Sequence, residues 1–223
     1  MRSQHTDRRH LLWAIGLRLF TTFLVTAMAA CIHAVSSSAQ LGQIIFYRSS
    51  FALIPICLYM LIRSEWPSAL RTKRPGLHVT RSLLGVFSMG LFFTSVAYLP
   101  VANAQSLTFL APVLSLPLAA LLLGEHLPRS IVLATIIGFS GVIVLLWDAL
   151  QGPSTDSLVG IVAGLGFALT TAFVRVHTKT MTATESSSAI AFYFAVVATL
   201  VGLATLPFGW SSLTSTDWAL LVL

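Results

Sequence analysis

Seven stretches of this chain are each long and apolar enough to cross a lipid bilayer, and no soluble fold could absorb them all. The hydrocarbon layer is about 30 Å thick and takes roughly 20 helical residues to cross. Apolar runs of that order cover about 11–34, 42–62, 80–98, 101–123, 130–147, 157–175 and 186–207. An eighth begins near Trp218, and the chain stops inside it at Leu223, which reads as a truncated chain or a fragment. Composition agrees: 56% of the 223 residues are hydrophobic and 9% are charged, against about 25% charged in a soluble domain. A single soluble core could not hide so much apolar surface. In lipid every backbone polar group must be satisfied within the chain, so the spans are helices. The expected fold class is all-α: a polytopic membrane helix bundle with seven complete spans and part of an eighth.

The basic residues orient the bundle. Arg2, Arg8 and Arg9 precede the first span; Arg63, Arg71, Lys73 and Arg74 follow the second; Arg129 follows the fourth; Arg175 and Lys179 close the sixth. The links after spans one, three, five and seven carry no Lys or Arg. Positive charge is retained on the cytoplasmic side, so the amino terminus and the even-numbered links are expected there, in the cell (inner) membrane. The net charge of +6 and the pI near 10.0 then describe membrane orientation and not nucleic-acid binding. The opening "RSQHTDRRH", with "SSAQ" further on, has the outline of a secretory signal. Its apolar run, however, is about twice the usual 7–15 residues, and Arg18 interrupts it.

A short internal similarity suggests a repeat. "FYRSSFALIPICLY" opens span two after "VSSSAQ", and "FYFAVVATLVGLATLP" opens span seven after "TESSSA", so that Tyr47 matches Tyr193. The repeating unit would be five spans, dividing the chain into a first five-helix repeat at 1–150 and an incomplete second repeat at 151–223. Five is odd, so the second copy enters the membrane inverted. Inverted repeats belong to secondary transporters, whose substrate sites lie near the midplane where the halves meet.

Within the spans a few polar residues need explaining. Asn103, Gln105, Ser106 and Thr108 open span four. Facing lipid, each unpaired polar group would cost several kcal/mol, so they face protein or a wet cavity. For Asn103 and Gln105, helix-to-helix hydrogen bonds worth about 0.6 kcal/mol each and substrate contact both stay open, and packing is the first reading for Ser106 and Thr108. Pro112 and Pro117 interrupt the same span and predict a kink or broken turn, static or flexing. Arg48 lies about 9 Å inside span two from the end poor in basic residues; it either anchors structurally or meets a substrate anion. Arg18 can snorkel to the interface, and Arg81 anchors the start of span three. His33, near the far end of span one, is either a hydrogen-bonded interface residue or part of the binding set. Glu125 and Arg129 bracket the end of span four, where a carboxylate opposes the helix dipole and needs a basic partner or a neighbouring helix's amino end.

Other functions are excluded or demoted by what the spans lack. No G-x-S-x-G elbow, no paired intramembrane aspartates and no His-rich cluster is present, so neither an enzyme nor a bound metal or cofactor is expected. Cys31 and Cys57 each lie in an apolar run and define no disulfide framework. Gly160 and Gly164 form a G-x-x-x-G, and Gly138 and Gly141 lie near one face of span five; these are packing glycines, with a homodimer face as the alternative.

The segment Arg81–Leu146 resembles the EamA-type branch of the drug/metabolite transporter superfamily. The features that carry the likeness are Arg81 opening span three, the "YLPVANA" turn, the proline in "LAPVLSLP", "LGEHL" closing span four and "GFSGVIVL" in span five, with "FYRSSF" around Arg48 in span two. The resemblance implies ten helices in two inverted five-helix repeats that carry small metabolites by alternating access, with a glutamate recurring at Glu125. It implies no cofactor, a small-molecule substrate and the lipid bilayer as partners, and no nucleic acid. The function expected is therefore a secondary transporter, with export favoured, of small organic solutes such as amino acids, their derivatives or drugs. Asn103, Gln105, Thr108, Arg48 and His33 form the substrate-binding set, and Pro112, Pro117, Glu125 and Arg81 the structural or gating set. The alternative is a truncated membrane protein that transports nothing and serves as a structural or assembly partner.

Overall fold

A computed structural model of the chain describes residues 2–72, 74–123, 129–147, 154–182 and 184–222. Its helices are α1 (Arg2–Val35), α2 (Leu41–Ile62), α3 (Pro75–Tyr98), α4 (Val101–Thr108), α5 (Leu110–Leu123), α6 (Arg129–Leu145), α7 (Thr155–Met181), α8 (Ser187–Leu203) and α9 (Ser215–Val222). Among the described residues there is no strand. Six helical stretches are long and apolar enough to cross a membrane, with α4 and α5 together making one of them. A shorter apolar helix, α6, lies between the fourth and fifth of them, and the eight-residue α9 lies at the end of the described residues. The molecule is an all-α polytopic membrane bundle.

Residue size is distributed as lipid demands. Large side chains face outward: Leu17, Phe20 and Phe23 on α1, Ile136 and Ile137 on α6, and Leu121 on α5 are all exposed. Small ones pack inside, including Ala104, Ala168, Ala172, Ala195 and Ala198. Lipid is as apolar as leucine, so helices gain by close packing across small residues and not by hiding oily ones. The seam between α3 and α7 is the clearest case. Ser88 and Ser95 of α3 are buried against it, and the Ser88 hydroxyl is 2.6 Å from the Thr171 hydroxyl on α7. A Cβ on Gly160 would stand 2.6 Å from Leu99, and one on Gly164 would stand 2.8 Å from Ser95 Oγ. The G-x-x-x-G motif is thus filled from within the chain. Gly202 of α8 has a similar role against α2: a Cβ there would lie 2.6 Å from the Phe46 amide nitrogen.

Helix boundaries follow local chemistry. Ser154 caps α7 by accepting from the Ser157 amide at 3.1 Å, and Ser186 caps α8 by accepting from the Ala189 amide at 3.1 Å. Thr214 and Asp217 cap α9 reciprocally: Asp217 Oδ2 accepts from the Thr214 amide at 2.9 Å, and the Thr214 hydroxyl accepts from the Asp217 amide at 3.3 Å. Pro75 opens α3, where its missing donor costs nothing. The break between α4 and α5 falls at Phe109. Pro112, three residues on, has no N–H to give to the Thr108 carbonyl, so the helix cannot run straight through. Pro117 lies within α5 and does not break it.

Two ends result. The α2–α3 and α7–α8 links share one end, which holds Arg63, Arg71 and Arg74. The α1–α2, α3–α4 and α8–α9 links share the other, which carries the serines Ser36, Ser37, Ser38 and Ser211.

Candidate functional site

At the serine-rich end a cavity of about 690 Å³ opens between the α1–α2 link, α2, α3 and the α8–α9 link. Hydroxyls of Ser36, Ser37 and Ser38, the amide of Gln40, and Thr94, Tyr98 and Phe93 of α3 line it. Its walls are tied by amides. Gln40 Nε2 donates to the Gly209 carbonyl, and Gln43 Nε2 donates to the Ser211 carbonyl at 2.9 Å. Gln43 is 2% exposed, and its Oε1 has no partner among the described residues. Phe93 joins this cavity to Arg48, whose guanidinium carbon lies 5.6 Å from the Phe93 ring centroid. Arg48 also donates to the Met28 thioether on α1. No described acid pairs with Arg48.

The other polar residues of the binding set lie around α1. Gln105 Nε2 donates to the Thr26 hydroxyl at 3.4 Å. Thr108 Oγ1 donates to the Gln105 carbonyl of its own helix at 2.6 Å. His33 Nδ1 is 2.5 Å from the Val96 carbonyl; a carbonyl only accepts, so the proton is on Nδ1. Asn103 is half-buried on α4, beside the fully buried Ala104 and Leu107. Of the binding set, then, only Arg48 shares a partner with the cavity wall. Gln105 and His33 are engaged in helix-to-helix bonds, and Thr108 bonds its own backbone.

The described residues of the basic end are tied together by side chains. Glu185 of the α7–α8 link accepts from the Thr72 hydroxyl at 2.8 Å, and its Oε2 is 3.2 Å from Nε2 of His78 on α3. Tyr193 of α8 donates to the Leu70 carbonyl at 2.7 Å, and Ser188 donates to Glu65. Arg81 reaches Thr178 of α7 at 3.4 Å and stacks 4.7 Å over the Phe194 ring of α8. The Glu185 carboxyl is held below its ordinary range, first by the Thr72 hydroxyl and then by His78 and Arg74, with burial opposing. Glu125 lies outside the described residues.

Sequence reasoning singled out Arg48 and Arg81 because a charge inside a span is visible by position. It missed Gln43, although the argument applied to Asn103, a buried amide near a span's start, fits Gln43 equally. It also missed His78 and Glu185, which read as interface residues until the fold brings them together.

A helix bundle built for lipid, with a serine-rimmed cavity at one end and side-chain ties between helices and links at the other, is an architecture suited to a small-molecule membrane transporter. The model of the EamA-like transporter family matches residues 9–147, and the chain belongs to that family. It is 28% identical to the pseudopaline exporter CntI of Pseudomonas aeruginosa, over 92% of this chain and 71% of that protein. It is 28% identical to the S-adenosylmethionine uptake transporter of Rickettsia prowazekii, over 92% of this chain and 67% of that protein. A riboflavin transporter of Brucella anthropi is 28% identical over 72% of this chain and 55% of its own length. A crystal structure with TM-score 0.67 and 21% identity, covering 91% of this chain and 71% of its own, has the same fold. The family consists of transporters, not enzymes.

Proposed function

We propose that the chain acts as a secondary transporter of small organic solutes by alternating access, with Arg48 as its anion contact. The observation that carries this reading is the pairing of an open cavity, floored by Phe93 next to Arg48, with a sealed opposite end. Amino acids, their derivatives and drugs with a carboxylate or other anionic group are the solute class, because Arg48 lacks a described acid partner. The relatives include both an exporter and uptake transporters, so direction rests on this chain alone. The basic end is placed in the cytoplasm by its Arg residues. The cavity then faces outward, and the favoured direction is export across the inner membrane.

The division into inverted repeats at 1–150 and 151–223 is part of the same proposal. It is supported by an exchange of partners: α3 packs along α7, as α1 packs along α9, while α2 packs along its own counterpart α8. The break at Phe109 and the two prolines of span four supply a flexing point, and Arg81 anchors the first repeat to the second. Asn103, Gln105, Thr108 and His33 would join the substrate path when the helices re-pack around α1.

The test is flux into reconstituted vesicles across a panel of anionic and zwitterionic solutes. Arg48→Ala should cut flux about tenfold or more while folded protein is retained, as loss of a charge-assisted contact predicts. Flux of Arg48→Ala equal to that of the unaltered chain for every transported solute would make Arg48 an anchor only.

A further inference from the structure

The seal at the basic end contains a buried pair of titratable groups. The side chain of His78 is 2% exposed and that of Glu185 is 8% exposed. Nε2 of His78 lies 3.2 Å from Glu185 Oε2, an ion-pair distance, but neither ring nitrogen has an aligned hydrogen-bond partner among the described residues. The Tyr193 ring of α8 covers the imidazole, with centroids 4.5 Å apart. The pair joins α3 to the α7–α8 link, so it holds only while the two halves are together. Thr72, Leu70 and Glu65 make their ties to Glu185, Tyr193 and Ser188 across the same boundary.

Other charged and titratable groups surround the pair. Arg74 in the α2–α3 link acts on Glu185. Arg81 lies one turn further along α3, with its guanidinium over Phe194. His177 and Lys179 lie near the end of α7, Arg63 and Glu65 lie in the α2–α3 link, and Tyr193 belongs to α8. Lys73 lies outside the described residues.

Charge counting decides what this pair can do. With one proton between them, imidazolium and carboxylate sum to zero. With none, a carboxylate is buried beside a neutral ring. With two, an imidazolium is buried on a helix that already carries Arg81. Leaving one buried charge without its partner is strongly unfavourable, and exposing the pair to water relieves it. Histidine is also the side chain whose charge ordinarily changes between pH 5 and 8.

We propose that His78 and Glu185 form a one-proton site, and that the basic end of the bundle closes when the site holds one proton and loosens when it holds none or two. The ligand is the proton itself, exchanged with water on the basic side as the ties part. The serine-rich cavity is not lined by either residue. The proton therefore enters and leaves on the same side, and the site regulates closure without carrying charge across. Its purpose rests on the transport reading, but its test reads accessibility and not flux, so the two fail separately.

The experiment uses the full chain in lipid vesicles with Cys31 and Cys57 replaced by Ser. Met181 is fully buried beside the seal, and Glu185 donates its amide to the Met181 carbonyl at 2.9 Å. Met181→Cys is labelled with a membrane-impermeant maleimide from pH 5 to 8.5. Rates are divided by those of Thr180→Cys, an exposed position on the same turn, which cancels the reagent's own pH dependence. Because the Glu185 carboxyl is held below its ordinary range, the second proton binds below this window; the normalised rate should be lowest at the acid end and rise on the order of fivefold toward pH 8.5, the lower range of usual coupling. In His78→Gln the profile should flatten, and in Glu185→Gln the alkaline rise should disappear, because an imidazolium left without its carboxylate favours opening at the acid end instead. If His78→Gln does not fold, Thr72→Val keeps both titrating groups and should raise the rate at the acid end of the range, because a carboxylate that has lost its first hydrogen bond takes the second proton at higher pH. A flat profile in the otherwise unaltered protein, or an undiminished one in Glu185→Gln, overturns the proposal.

Discussion

At the basic end, Tyr193 of α8 lays its ring 4.5 Å from His78 on α3. At the serine-rich end, Tyr47 of α2 lays its ring 4.6 Å from Trp218 on α9. In the proposed repeat Tyr47 and Tyr193 are counterparts, so each end puts the corresponding tyrosine against the helix that follows its counterpart. The closures differ in chemistry. The basic end uses two carboxylates, Glu65 and Glu185, to accept from hydroxyls. The serine-rich end uses two amides, Gln40 and Gln43, to donate to backbone carbonyls. Carboxylates titrate and amides do not. The ties across the basic end therefore include groups that titrate, whereas at the serine-rich end the two amide ties do not, and the carboxylate of Asp217 caps α9 beside them.

The largest expected effect comes from the contact on which both ends depend. Gly202→Val puts a branched side chain where a Cβ alone already stands 2.6 Å from the Phe46 amide. Backbone cannot yield as a flexible side chain can, and α2 must part from α8. Overpacking of this kind costs roughly 1–3 kcal/mol or more. The thermal midpoint in detergent should fall by several degrees, while Gly141→Val, with nothing within 4 Å of its Cβ, should leave it unchanged. Equal midpoints for the two variants would mean that α2 and α8 are not the shared axis of the two ends.

Acid should act on the basic end through Glu185, with a smaller effect. The Glu185 carboxyl is held below its ordinary 4.5 in the folded chain. A carboxylate lowered in this way stabilises the fold above the unfolded value, and the contribution is lost as pH falls through the lowered one. The unaltered chain should therefore be more stable than Glu185→Gln at pH 7, and the difference should close as pH drops below 4.5. With Asp217→Asn in place, so that the serine-rich end keeps no described carboxylate in its α9 cap, labelling at Ile44 should not follow that change. A parallel rise at Ile44 would show that the two ends open together, and the contrast between them would fail.

How much of this was readable beforehand depends on the range of the physics. Span count and length are set by hydrocarbon thickness, a one-dimensional property, and so α2 and α3 end close to where hydropathy stops. Pro112 announced a break in span four by removing a donor, although the break itself falls at Phe109. Arg48 stood out because a charge in a span is costly wherever its partner lies. His78 and Glu185 could not stand out: each sits in a link or the first turn of a helix, where titratable residues are common. Their meaning comes only from meeting across the bundle. Gln105 illustrates the opposite failure, since its polarity was visible but its partner, Thr26 on the neighbouring α1, was not.

The finest contrast compares one hydrogen bond from each end. Tyr193→Phe removes the hydroxyl that donates to the Leu70 carbonyl at 2.7 Å. Leu70 is half-buried, so water replaces the bond only in part, and the loss should be about 1 kcal/mol. Gln43→Leu also removes a donor, here from the Ser211 carbonyl at 2.9 Å. But Ser211 lines the open cavity, where water can satisfy its carbonyl, and the substitution also removes the unpartnered buried Oε1. Relief of that orphan offsets the lost bond, and the net change should stay within about 0.5 kcal/mol of zero. Thermal melts of the two variants in the same detergent decide it. If Gln43→Leu costs as much as Tyr193→Phe, water does not reach the Ser211 carbonyl and the serine-rich end is as closed as the basic one.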